Sequence, residues 1–151
     1  MKLKTNRFHK FMTLPWRGKW LYCNAALWLI AVKAGLCLLP FDRLRGWITA
    51  ADKPAGQSVA MKDLWEITEA IAHLGRFLAP LRINCLPQAL VGQRLLNRKG
   101  FDVQLKIGVL KNLDDRLSAH AWLEYRGRVI LGNLRGLGQF TAFPSLDLAR
   151  R

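Results

Sequence analysis

The sequence predicts an α+β fold in which N-terminal helices lead to a cysteine-bearing helix packed on an antiparallel sheet. Three observations carry this reading. Apolar residues recur at helical spacing as far as Lys99, the period shortens from 3.6 to 2 beyond Gly100, and the alternating stretches are joined by short polar turns. At 151 residues the chain is long enough for one domain with a real core and too short for two generous ones. It divides into a basic segment and apolar helices over 1–57, a core over 58–133 and a C-terminal tail over 134–151.

Residues Met1 to Lys19 are basic, carry Pro15 and Gly18, and read as a loosely packed lead-in. Trp20 to Leu39 is the most apolar stretch and has about the length that crosses a bilayer. Asn24 and Lys33 interrupt it, and a central Lys costs ~3 kcal/mol on insertion scales. Arg17 and Lys19 on one side and Arg43 and Arg45 on the other give no orientation bias, and the stretch lacks the small-residue cleavage site of a signal peptide. A buried or surface-seeking helix is therefore expected, with peripheral membrane contact through 20–39 as the alternative.

Pro40 stops that helix, Phe41 to Trp47 reads as a short amphipathic turn of helix, and Ala51 to Gln57 is a linker by composition. The next helix, Ser58 to Leu78, carries Leu64, Ile67, Ile71, Leu74 and Leu78 on one face and is ended by Pro80. His73 lies near that stripe with no carboxylate or cysteine at ligand spacing, so a structural role is expected.

The helix from Asn84 to Lys99 is the chemically suggestive one. Pro87 suits its first turn, and Arg98-Lys99-Gly100 is a basic last turn with a glycine stop. Cys85 stands at its N-terminus, where unpaired N–H groups and the helix dipole favour the nucleophilic thiolate and could bind an oxyanion. A small core residue is the competing reading for such a cysteine.

Phe101, Val103, Leu105, Ile107 and Val109 alternate with polar residues and glycine as a half-buried strand, and Lys111 to Arg116 is a polar turn. Leu117 to Tyr125 follows, with His120, Trp122 and Glu124 on one face and Ala121 and Leu123 on the other. Arg126-Gly127 turns the chain into a strand over Arg128 to Leu131, and no period survives beyond Gly132-Asn133. A helix packed on the His120 face would bring that imidazole to Cys85, the pairing through which a histidine takes a thiol proton and later protonates a leaving amine.

The balance of 24 Lys+Arg against 10 Asp+Glu gives +14, compatible with nucleic acid, anionic lipid or an acidic peptide. No RNA-binding signature, zinc-finger spacing or helix-turn-helix pattern accompanies the charge, so nucleic acid is not the expected partner. Cys23, Cys37 and Cys85 form no CxxC pair and no Cys/His cluster, so no metal is expected, the pattern fits a reducing cytoplasm, and Cys23 and Cys37 read as packing residues.

NCLPQALVGQRLLNRKGFDVQLKIGVLK followed by SAHAWLEYRGRVILGN resembles the transglutaminase-like cysteine protease domain of lasso-peptide biosynthesis B proteins, which are leader peptidases. The carrying features are Cys-Leu-Pro before an Ala-Leu helix, Leu-Leu-Asn-Arg-Lys-Gly, Lys-Ile-Gly-Val, and Ala-His-Ala-Trp-Leu-Glu followed by Gly-Arg, in order and over about a third of the chain. The resemblance implies a transglutaminase-like or papain-like core that needs no cofactor, with Cys85 as nucleophile and His120 as general base and acid. The family's third member is an Asp after the final strand. This sequence has Asn133 there instead, and an Asn can orient an imidazole in Cys-His-Asn sites. Glu124, four residues from His120, is roughly 13 Å away along a strand and too far to replace it. Trp122 and Gln88 fall on the substrate side, Trp122 as a wall because indole offers only an N–H donor. Gln88 stands where the family often carries a basic residue.

The implied reaction is removal of the leader from a ribosomal precursor peptide. Its implied partners are that precursor, a separate leader-recognition protein and the lasso cyclase that closes the released core. Two alternatives stand beside it: another transglutaminase-like hydrolase or acyl transferase, and a scaffolding subunit weakened by loss of the Asp.

Overall fold

The computed structural model describes residues 15–49, 60–111 and 116–143. The expected linker at Ala51 to Gln57, most of the lead-in, the centre of the 111–116 turn and the end of the tail lie outside the described residues.

Helix α1 spans Trp16–Leu38 and starts four residues before the predicted Trp20, directly behind Pro15, whose fixed φ suits the approach to a helix. It ends where Leu39 turns extended ahead of Pro40, the conformation a residue before proline prefers. Ala25, Leu29 and Val32 are buried, whereas Cys23 and Cys37 are exposed. The two cysteines are therefore not the packing residues expected: the helix is apolar on all sides, and they fall on the side turned from the core. Helix α2, Phe41–Thr49, follows at once and lays Leu44 against Gly35, where a Cβ would come within 2.7 Å of Leu44 Cδ1.

Helix α3, Met61–Phe77, buries Leu64, Ile67 and Ile71 as its spacing predicts, and Leu74 and Leu78 pack partly buried at the same core. A 3-10 turn at Ala79–Leu81 and a left-handed Arg82 (φ 52°) reverse the chain. Helix α4, Cys85–Arg98, is the central element, with Ala89, Leu90, Val91, Leu95 and Leu96 buried. It closes through Gly100 at φ 96°, which lets the Phe101 N–H reach the Leu96 carbonyl at 3.0 Å.

Strands β1 (Gln104–Lys111), β2 (Leu117–Tyr125), β3 (Arg128–Leu131) and β4 (Thr141–Ala142) form an antiparallel sheet in the order β3-β2-β1-β4. Arg126 and Gly127 both take positive φ in the β2–β3 turn, matching the twist of a tight hairpin. Leu105 pairs with Leu123 and Ile107 with Ala121, so one face of the sheet is aliphatic and belongs to the core.

The last segment departs from expectation. Residues 134–143 are not an unpatterned tail: Leu137–Gln139 is a 3-10 turn, and β4 pairs with β1 at Gly108↔Ala142 and Val109↔Thr141. Two paired residues are too few to leave a periodic signature. The free edge of β1 supplies the pairing.

Candidate active site

Helix α4 packs on the Ala121/Leu123 face of β2, so the condition under which His120 would meet Cys85 directly, a helix on the His120 face, is not met. Gly92 is the contact point, with room for no more than hydrogen between it and Leu123 Cδ1, 2.7 Å from a would-be Cβ, and Leu131 Cδ2 at 3.0 Å. The reason is area: the aliphatic side chains of Leu105, Ala121, Leu123 and Leu131 gain from burial against the leucines of α4, whereas Gln104, Lys106, His120 and Glu124 would lose hydration there.

Helix and strand run in the same direction, since Gln88 faces Leu131 to Asn133 across a cleft while Gly92 sits on Leu123. Cys85 is seven residues before Gly92, about 10 Å along the helix axis. His120 is three residues before Leu123, about 10 Å along the strand. Both therefore lie on the same side of the Gly92–Leu123 contact, Cys85 half-buried at the helix start and His120 half-buried on the opposite face of the strand. No hydrogen bond joins them. The β2–β3 ladder ends at Leu123↔Leu131, so among the described residues no strand covers that side of β2 from Ala121 back to Leu117.

His120 is held in place by three contacts. Its Nε2–H donates to the Gly132 carbonyl at 2.7 Å. Its ring stacks on Trp122, centroids 6.3 Å apart and 15° from parallel, and meets Phe140 at 5.8 Å. A carbonyl oxygen only accepts, so the proton sits on Nε2 and the neutral ring presents Nδ1 as its base. The bond expected from Asn133 is thus made by the backbone of the preceding residue. Asn133 is exposed and makes no hydrogen bond to His120.

Gly132 can do this because it has no side chain. Its φ is 80°, and a Cβ would fall 2.8 Å from the Ala121 carbonyl and 3.1 Å from Trp122 Cα. Trp122 is 5% exposed and lies over Gly108, and its indole N–H donates to Glu124 Oε1 at 2.8 Å. That places Trp122 as the floor beneath His120 and occupies Glu124 elsewhere.

Gln88 and Asn133 share a cleft of about 500 Å³ between α3 and the end of β3, with Glu69, Gly75 and Arg76 in its wall. Gln88 leans on Gly75 and donates to the Ile83 carbonyl at 3.1 Å. Cys85, His120 and Trp122 do not line this cleft; it lies one helical turn along α4 from the thiol. At the helix start Asn84 takes the N-cap position without a side-chain capping bond, so it leaves the first-turn N–H groups to other acceptors. Among the described residues no group of three or more His, Cys, Asp or Glu could hold a metal ion. His73, exposed on α3, lies 3.4 Å from the Tyr22 hydroxyl of α1.

Gly132 and Phe140 are the members that side-chain reasoning missed. A backbone carbonyl is common to every residue, and Phe140 sits in a stretch with no period.

A cysteine at the start of a helix packed on an antiparallel sheet that also carries a histidine is an arrangement that thiol-based acyl transfer uses. The comparisons agree: the family model of the transglutaminase-like superfamily matches residues 26–145, and the chain belongs to that superfamily, whose members are typically cysteine hydrolases or acyltransferases. Searches of curated proteins and of solved structures return no significant match.

Proposed function

We propose that this protein is a cytoplasmic cysteine peptidase that removes the leader from a ribosomally synthesised lasso-peptide precursor. The observation that carries the reading is the Nε2–H bond of His120 to Gly132, which leaves Nδ1 as the basic nitrogen of the ring.

In this reading Nδ1 takes the proton from Cys85 Sγ, and the thiolate attacks the carbonyl carbon of the bond joining leader and core. The N–H groups of Cys85 and Leu86 face the developing oxyanion; Pro87 has none to add. The imidazolium returns its proton to the departing amine, leaving a thioester on Sγ. Water, deprotonated by Nδ1, then releases the leader as a carboxylate and restores the thiol. The cleft holding Gln88 and Asn133 lies one turn from the nucleophile and offers the substrate chain mainly apolar walls with Glu69, Arg76, Gln88 and Asn133 among them. A separate recognition protein presents the leader, and a cyclase closes the released core.

The test is cleavage of a candidate precursor encoded beside this gene, by wild type and by Cys85→Ala, with and without the recognition protein. Cleavage by wild type alone establishes the reading. Silence of both, even with the partner, favours the scaffolding alternative, for which the missing Cys85–His120 bond is the supporting observation. Turnover of other acyl substrates but not the precursor points to a different transglutaminase-like activity.

A further inference from the structure

The outward side of α1 carries a stripe made of Trp16, Trp20, Cys23, Leu27, Ile30 and Cys37, spaced three, four or seven residues apart and all exposed. Leu27 is 69% exposed and Trp16 81%. A stripe of this length, about 30 Å along the axis, is unusual on a soluble surface. Its surroundings say what covers it. Helix α1 carries Arg17, Lys19 and Lys33 and no acidic residue, and the whole chain carries +14. The two tryptophans stand at one end beside Arg17 and Lys19, the arrangement that suits a bilayer's headgroup region. A second copy would bring the same positive charge to the same face, so self-pairing is opposed electrostatically.

The geometry points to α1 as an interfacial anchor that lies in the surface of an anionic bilayer. It does not span it, although by length and composition it could. Its other side is committed to the core through Ala25, Leu29 and Val32, each 0% exposed, and Trp28 lies under the Arg94 guanidinium at 4.0 Å. Drawing α1 into the bilayer would strip that core. Laid flat, the helix keeps its inner contacts, buries the stripe among acyl chains and sets the basic residues against lipid phosphates.

Vesicle flotation tests this, with phosphatidylcholine alone and with phosphatidylcholine mixed with phosphatidylglycerol. The wild-type protein floats with the mixed vesicles, less with the neutral ones, and is released by salt. Leu27→Glu with Ile30→Glu weakens that binding about tenfold or more. Leu117→Glu, at an exposed apolar position on β2, leaves it unchanged. As a second measurement, an environment-sensitive fluorophore on Cys23, in a chain with Cys37→Ser and Cys85→Ser, shifts to the blue on mixed vesicles. It decides the matter should the double variant fail to fold. Failure of wild type to float, equal flotation of the double variant, or an unshifted fluorophore overturns the proposal. So does a dimer broken by the double variant in a protein that ignores vesicles.

Discussion

His120 and Gly132 are joined by a bond of 2.7 Å between the imidazole Nε2–H and a main-chain carbonyl. In this chain the orientation of the histidine rests on backbone and not on a carboxylate or amide side chain. A neutral acceptor fixes the tautomer but stabilises the imidazolium less than a carboxylate would.

Asn133→Ala therefore stays within about tenfold of wild-type activity, while Gly132→Ala loses far more. An alanine at φ 80° is strained by about 1–2 kcal/mol and would press on the Ala121 carbonyl, displacing the group that holds the ring. Precursor cleavage and nitrogen NMR of the histidine ring check this together: the Nε2–H signature persists in Asn133→Ala. A loss equal to that of Cys85→Ala would make the Asn133 side chain the orienter.

Alkylation reads the thiol directly. With Cys23 and Cys37 replaced by Ser, Cys85 is the sole target, and its reaction rate at neutral pH falls about tenfold or more in His120→Ala if the imidazole draws off its proton. An unchanged rate means that the two groups do not communicate.

Tyr22 titrates above the usual tyrosine value, chiefly because burial penalises the phenolate, with the Glu69 carboxylate adding to the rise and Arg76 opposing it. The folded state thus favours the neutral phenol. Its contribution to stability is complete below the unfolded pKa near 10 and is lost as pH rises through the higher folded value. Ultraviolet titration of Tyr125→Phe should show the raised midpoint, and Glu69→Gln should move it down.

The α4–β2 contact admits no extra bulk. Gly92→Ala should cost about 1–3 kcal/mol by overpacking against Leu123 and Leu131, and Leu123→Ala about 2–5 kcal/mol by leaving a cavity. Denaturant unfolding measures both, and near-zero values would mean that the helix does not rest on that face.

Much of the arrangement was legible before any coordinates. The spacing of Leu64, Ile67 and Ile71 located α3, Pro87 and Gly100 bracketed α4, and the alternation through Leu105 and Leu123 gave the first two strands. These are local preferences, written in residues a few places apart. The same pattern also held an unused signal. The aliphatic positions of the sheet, not those of His120 and Trp122, are the ones a leucine-rich helix would seek.

What the sequence determined by itself was the kind of protein: helices before a sheet, a cysteine where a helix begins, a histidine in a strand, and the motifs that tie both to the transglutaminase-like superfamily. Three things were left to the tertiary structure. Which face of β2 carries α4 depends on the summed burial of side chains from four elements. That residues 141–142 close the edge of β1 depends on an unpaired ladder far away in the chain. That Gly132 holds His120 depends on a carbonyl every residue possesses, which acquires a role only when the fold brings it within 2.7 Å of the ring.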